Sequence, residues 1–332
     1  NDFKDELKLK KIRLTSQLIN LNFLKSQKGG YLISRLKYSL IFFFSLFPLI
    51  KLLKQKNSSF IIVHLVTSLP LFVFSILNFK TKLILRISGL PKLNFFRKLL
   101  WKLSVKNIYK ITCPTQETYD NLSKIPHLKE KLIILRDPIL SIAEINKKKK
   151  KELDENLPKG DFILSIGRLT KQKNFSFLLK VFSKLKLENL SLVIIGKGEL
   201  KKDLIKQSKQ LNIEKKIFFI NETDNVFNII EKSKYFVLTS LWEDPGFVLI
   251  EAAVMNKIIV SSNCPSGPKE ILNNGLSGFL FNSNDENSFL KAFKELQNSS
   301  EKELKNKMIN AKIMTKEFTL FRHYKMINKV LG

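Results

Sequence analysis

Short apolar runs alternate with helical patterns along most of the chain, and that alternation constrains the fold more than any other feature. In the first half the strand candidates are Phe60–His64, Leu83–Ile87, Ile108–Cys113 and Leu132–Leu135, with helical stretches such as Leu93–Leu103 and Glu117–Leu122 between them. In the second half they are Phe162–Ile166, Leu192–Ile195, Ile217–Ile220, Tyr235–Thr239, Ile258–Ser261 and Gly278–Phe281. Helical patterns over Phe175–Leu185, Leu200–Leu211, Val226–Lys232, Val248–Val254 and Lys269–Leu272 separate those. Strands joined by helical crossovers pair in parallel, so the expected class is α/β with doubly wound sheets.

At 332 residues the chain is long enough for two such cores. Asp137-Pro138 stops the first series. The expected organisation is an N-terminal Rossmann-like domain over 1–140, a linker over 141–160 and a C-terminal Rossmann-like domain over 161–315. Residues 316–332 then form a helix packing back on the first domain. The linker reading rests on the lysine run Lys147–Lys151, the acidic residues after it, and Pro158 and Gly160.

The formal net charge of +29 points to an anionic partner. Lysine supplies most of it, with only seven arginines, and AT-rich coding produces the same mix of Lys, Asn, Ile and Phe. Nucleic-acid sites draw on arginine for bidentate phosphate and guanine contacts, so the expected surface is anionic lipid and not nucleic acid. Cys113 and Cys264 form no disulfide or metal pattern, which suits a reducing cytoplasm. The strongest apolar run, Tyr38–Ile50, is shorter than the roughly 20 residues of a span, is flanked by Lys37 and Lys51, and is broken by Pro48. It reads as a core helix or an interfacial segment, not a transmembrane helix.

In doubly wound sheets ligands bind at the carboxyl ends of the strands, so chemistry is expected just after Ile166, Ile195, Thr239 and Ser261. After Ile166 comes Gly167-Arg168-Leu169-Thr170-Lys171-Gln172-Lys173-Asn174. Gly167 admits close backbone approach, while Arg168 and Lys173 place two cations at a strand-to-helix turn that already favours anions. The bland alternative is a basic surface loop. Gly196-Lys197-Gly198 lacks the third glycine of a dinucleotide fingerprint and reads as a tight turn beside a nucleotide.

After Thr239 comes Ser240-Leu241-Trp242-Glu243-Asp244-Pro245-Gly246-Phe247-Val248-Leu249-Ile250-Glu251. A loop carboxylate at Glu243 can accept hydrogen bonds from sugar hydroxyls. Glu251, on the following helix, can hold a ribose diol, and its apolar neighbours argue against a purely solvated role. Ser266-Gly267-Pro268 reads as a helix start, with Cys264 a small buried residue. The chain has no Asp-x-Asp metal motif, no Walker phosphate loop and no nucleophile elbow, and His64, His127 and His323 show no ligand spacing.

Together these loops resemble glycosyltransferase family 4, the group 1 transferases of GT-B fold, in the branch that builds lipopolysaccharide and lipid-linked oligosaccharides. The resemblance covers about Phe162 to Phe281. It is carried by Gly-Arg-Leu-x-x-x-Lys, Gly-x-Gly, the Glu243/Glu251 pair and Ser-Gly-Pro-Lys-Glu-Ile-Leu with Gly275 and Gly278. It implies two Rossmann-like domains facing across a cleft. Arg168 and Lys173 clamp the donor diphosphate, Glu243 meets the donor sugar and Glu251 holds the ribose. Gly167, Gly196, Gly246, Phe247 and Val248 line the donor site. The resemblance further implies retention of anomeric configuration and no bound metal or cofactor, the nucleoside-diphosphate sugar being the donor substrate.

Two departures stand out. Lys173 is followed by Asn174 where the family often has glycine. The family's opening strand, glycine-rich loop and helix have no counterpart, and Lys11–Leu21 reads as a middle strand region. A first domain lacking its first βαβ unit is therefore expected, with Arg86, Ser88 and Gly89 as its cleft candidates.

The expected activity is transfer of a hexose-type sugar from a nucleoside-diphosphate sugar to a hydroxyl of a lipid-linked or envelope glycan. The enzyme is expected in the cytoplasm, peripheral on the inner membrane's cytoplasmic face. The alternatives are a nucleotide-sugar epimerase on the same fold and a non-catalytic sugar-nucleotide or membrane-binding module.

Overall fold

The structure is a computed structural model that describes residues 31–55, 58–64, 68–89, 91, 94–149, 157–223 and 226–332. The expected strand region Lys11–Leu21 lies outside the described residues. The chain divides into two compact units, Asn1–Leu85 with Leu93–Tyr109, and Arg86–Lys92 with Lys110–Gly332.

The first unit begins with α1 (Tyr31–Gln55), followed by β1 (Phe60–His64), α2 (Ser68–Ile76), β2 (Lys82–Arg86) and α3 (Phe95–Ser104). α1 runs through Pro48, although proline removes one backbone donor and was expected to break the run. Over Leu36–Gln55 the helix is long and apolar enough to cross a membrane by length and composition, a test that core helices and signal sequences also pass. The core-helix alternative does not hold, because Leu53 is its only buried residue among those described. Phe42 meets Phe72 of α2 with ring centroids 5.5 Å apart. α3 is capped by Asn94, whose side chain accepts from the Arg97 N–H, and it buries Trp101 and Ser104.

β3 (Ile108–Cys113), α4 (Gln116–Ser123) and β4 (Leu132–Ile134) follow, and the four strands lie in the order β1-β2-β3-β4. That order runs straight through the described strands. Thr115 caps α4 by accepting from the Thr118 N–H.

Within 141–160, expected as a linker, α5 (Ile142–Lys149) is a helix. Ile145 joins the hydrophobic core, and Lys147, Lys148 and Lys149 occupy the last turn, where cations complement the helix dipole. The lysine run masked the apolar face that Leu140 and Ile145 make.

The remaining elements are β5 (Phe162–Ile166), α6 (Phe175–Lys184), β6 (Ser191–Ile195), α7 (Lys201–Gln210), β7 (Ile217–Ile220) and α8 (Val226–Lys232). They continue with β8 (Tyr235–Leu238), α9 (Phe247–Val254), β9 (Ile258–Ser262), α10 (Pro268–Ile271), β10 (Phe279–Phe281), α11 (Glu286–Asn298), α12 (Glu301–Thr315) and α13 (Leu320–Leu331). Six strands form one parallel sheet in the order β10-β9-β8-β5-β6-β7. The order reverses at β5, which pairs with both β6 and β8.

Successive strand residues face opposite sides. Leu164, Val193 and Phe236 therefore enter one core with Leu249 and Ala253 of α9. Ile163, Leu192 and Val237 enter the other with Leu178 and Phe182 of α6. The final segment returns to the stretch between β4 and α5: the Leu140 N–H donates to Phe318 at 3.1 Å, and His323 Nδ1 lies 2.7 Å from the Arg136 carbonyl.

Candidate active site

The carboxyl edge of the six-stranded sheet gathers the loops that follow β5, β6, β8 and β9. At the reversal point, the Gly167 N–H donates to Ile195 and the Leu169 N–H to Lys197, tying the first two loops together. Gly196 has φ 153°, and a Cβ there would lie 1.9 Å from the Gly167 carbonyl oxygen, so only glycine lets these backbones meet. Asn174 starts α6 at φ 53°, in the left-handed region. Asparagine tolerates that conformation better than most residues, so the departure from glycine preserves the backbone path.

Lys173 reaches from this loop to Glu243 in the loop after β8. Their Nζ–Oε1 distance is 2.6 Å, with the two side chains 12% and 5% exposed. The same carboxylate accepts from Ser240 Oγ at 2.5 Å. Ser240 is held in turn, its carbonyl accepting from Ser262 Oγ at 2.7 Å and Ser283 Oγ at 3.2 Å. The Glu243 N–H donates to Pro265 at 3.1 Å, which joins the loop after β9. Arg168 projects at the exposed edge and donates to Gln172 Oε1 at 3.3 Å. Gln172 donates onward to the Trp242 carbonyl at 2.9 Å.

α9 begins directly beyond this cluster. Gly246 packs against the Glu243 side chain, and Phe247 and Val248 are the first helical residues. The opening N–H groups of a helix have no intrahelical acceptor and favour an anion. Glu251 is one turn further on and partly buried, and among the described residues its side-chain carboxyl has no hydrogen bond or ion pair. Burial pushes its carboxyl up to about 7, with Lys148 opposing the shift. The structure thus brings Gly167, Lys173, Gly196, Glu243 and Gly246 together, places Arg168 beside them through Gln172, and puts Glu251 one turn along the helix that Phe247 and Val248 open.

Of the candidates after β2, Arg86 forms an ion pair with Asp137 and is committed to that contact. Ser88 is half-buried. Gly89 approaches the loop after β8 so closely that a Cβ would collide with the Asp244 carboxylate.

Sequence reasoning passed over Asp244, whose carboxyl is pushed up to about 6, by burial first and then by Glu243 and Glu117. It also passed over Ser240 and Glu117. Glu117 accepts from the Ser266 N–H at 2.7 Å, and Glu270 accepts from the Gln116 N–H at 2.8 Å while pairing with Arg136 at 2.5 Å. The Ser-x-x-Glu spacing of Ser240 and Glu243 was a readable signal. The partners of Glu117 and Glu270 lie 149 and 154 residues away and left none.

The family profile of Glycosyl transferases group 1 matches residues 145–314, just over half of the chain and the stretch that builds this site. The chain belongs to that family. An uncharacterised glycosyltransferase of Methanocaldococcus jannaschii is 30% identical to this group 1 family member over 68% of the chain and 61% of its own length. A Campylobacter jejuni N-acetylgalactosamine-N,N'-diacetylbacillosaminyl-diphospho-undecaprenol 4-alpha-N-acetylgalactosaminyltransferase is 34% identical over 44% of the chain and 40% of its own length. The group 1 chain thus spans less than two thirds of either relative. Among solved structures, a glycosyltransferase from Rickettsia africae superposes with a TM-score of 0.72, covering 100% of the chain and 87% of that protein at 16% identity. The likeness establishes the fold, two parallel-sheet α/β domains of GT-B type.

Proposed function

We propose that the chain transfers a hexose-type sugar, with retention of anomeric configuration, from a nucleoside-diphosphate sugar to a hydroxyl of a lipid-linked or envelope glycan. The observation that carries this reading is the buried Lys173–Glu243 pair at the strand-order reversal, with Arg168 on one side and the open start of α9 on the other. Arg168 and Lys173 face the charge that builds on the departing diphosphate, helped by the Phe247 and Val248 N–H groups. Ser240 and Lys173 hold Glu243 to receive sugar hydroxyls, and Glu251 accepts from the ribose. The bond from the anomeric carbon to the diphosphate oxygen breaks, the bond to the acceptor oxygen forms, and the leaving phosphate oxygen takes the acceptor's proton. No resident metal or cofactor is invoked. The diphospho-undecaprenol substrate in the name of the Campylobacter relative supports the acceptor class and work at a membrane; the cytoplasmic face is part of the proposal.

Thermal unfolding with UDP, GDP and ADP, each alone and as the sugar conjugate, tests the donor. One base series should raise the unfolding temperature, since a ligand that binds only the native state stabilises it. A labelled donor with a polyprenyl-diphosphate glycan should then yield glycoside of unchanged anomeric configuration. Inverted glycoside would remove the stereochemical part, and free epimer without glycoside would replace transfer by epimerisation.

A further inference from the structure

We infer that Trp242 and Asp244 form the subsite for the terminal pyranose of the acceptor, the indole stacking on the ring and the carboxylate accepting from its hydroxyls. The inference rests on the transfer reading above and deepens it: the acceptor is recognised as a sugar ring and not as a lipid phosphate. Glu243 is buried, and the residue on either side of it is exposed. The side chains of these two neighbours take no part in the donor contacts described above.

The chain has two tryptophans. Trp101 is buried on α3, whereas Trp242 is 48% exposed in the loop after β8. That loop is held at each step. The Leu241 N–H donates to the Gln172 carbonyl at 2.8 Å, the Trp242 carbonyl accepts from Gln172 Nε2 at 2.9 Å, and the Glu243 N–H donates to Pro265 at 3.1 Å. An indole presented on a fixed backbone offers a large apolar face with little ordering left to do on binding. The C–H face of a pyranose matches it.

Asp244 supplies the polar half. Its carboxyl feels the charges of Glu243 and Glu117, and a Cβ on Gly89 would lie 1.8 Å from its Oδ2. These residues all belong to the compact unit that holds the six-stranded sheet. Among the described residues no hydrogen bond or ion pair takes up the Asp244 carboxyl. Nor do the described residues contain a group of three His, Cys, Asp or Glu side chains that could hold a metal ion. A carboxylate pressed by two like charges is best met by neutral hydrogen-bond donors, and sugar hydroxyls are such donors. Cα atoms two positions apart are separated by at most about 7 Å, so one pyranose ring reaches both side chains. A nucleobase would also stack on the indole, but its diphosphate would then lie beside Asp244 and Glu117.

Tryptophan emission tests the subsite without requiring turnover. The full chain, alone and with each of UDP, GDP and ADP, is titrated with the methyl glycosides of galactose, glucose, N-acetylgalactosamine and N-acetylglucosamine. Farnesyl diphosphate serves as a sugar-free control. At least one glycoside should change the emission saturably, farnesyl diphosphate should not, and W242F should abolish the change. In transfer assays W242A should raise the acceptor KM about tenfold and move the donor KM by less than about twofold. W242F should restore most of that loss, and D244N should raise the acceptor KM about tenfold. All three variants should keep the wild-type unfolding temperature, because both side chains are exposed. No response to any glycoside, alongside a nucleotide-induced rise in unfolding temperature, would overturn the subsite and leave transfer standing. A glycoside response with no effect of any nucleotide would keep the subsite and overturn the transfer reading. A response to nucleotide alone that W242F removes would put the base on the indole and overturn the proposal, as would W242A with a wild-type acceptor KM.

Discussion

The six-stranded sheet and the α1–α3 region use the same residues in opposite ways. Against the sheet, Phe177 of α6, Phe281 of β10, and Phe289 and Phe293 of α11 pack on one another in the core, with neighbouring ring centroids 5.1 to 6.2 Å apart. In the other region, Phe43, Phe47, Phe95 and Phe96 face outward. Lysine follows the same division. Lys173 is buried against a carboxylate, whereas Lys98 and Lys102 are exposed in a stretch with no acid at all. A total of 27 phenylalanines and an excess of lysine therefore say little until each residue has a place. One region spends them on packing and on a preorganised charge pair, and the other presents them outward.

That contrast makes ordered predictions. The largest effect belongs to the sheet edge, where Arg168→Ala should lower kcat by about 10²–10³, the typical loss on removing a preorganised charge-stabilising donor. Steady-state kinetics with the donor identified by thermal shift checks this, and unchanged turnover would remove Arg168 from the diphosphate clamp. Lys173→Met leaves Glu243 buried with only Ser240 for company and should cost about 3 kcal/mol in denaturant unfolding. A cost below about 0.5 kcal/mol would mean the pair behaves like a surface salt bridge.

Gly196→Ala should cost about 2 kcal/mol, from backbone strain and collision with Gly167, with reduced nucleotide binding as a second readout. The pH dependence comes next. Burial keeps Glu251 protonated in the folded chain up to about 7, against an ordinary value of 4.5. As pH rises from 4.5 toward 7 the unfolded chain sheds this proton first, so the contribution favouring the fold is complete below 4.5 and lost by the time pH passes 7. Glu251→Gln should flatten that slope and raise stability at pH 8 by about 1 kcal/mol. An unchanged pH–stability curve would mean the carboxylate is solvated. The smallest stability effect is expected in the other region, where F95S/F96S should change unfolding free energy by less than about 0.5 kcal/mol. A large loss there would break the contrast by showing both rings packed.

Much of the sheet edge was legible because its signals are local. β5 and β7 carry short apolar runs that end where expected, at Ile166 and Ile220, and the loop glycines, Arg168 and the two glutamates sit at fixed offsets from strand ends. α5 was hidden because its apolar residues are few and its lysines many, so composition suggested a linker where packing made a helix. The extent of α1 was understated because Pro48 signals a break locally, while the flanking turns continue the helix.

By itself the sequence determined the strand–helix alternation, the parallel class, and which loops carry charge, because each depends on residues a few positions apart. The tertiary structure alone decided that Lys173 meets Glu243 across 70 positions, that the Glu251 carboxyl is partly buried on α9, and which phenylalanines turn outward. Those outcomes depend on the order in which the strands lie side by side. Strand order arises from non-local pairing, which no window along the chain contains.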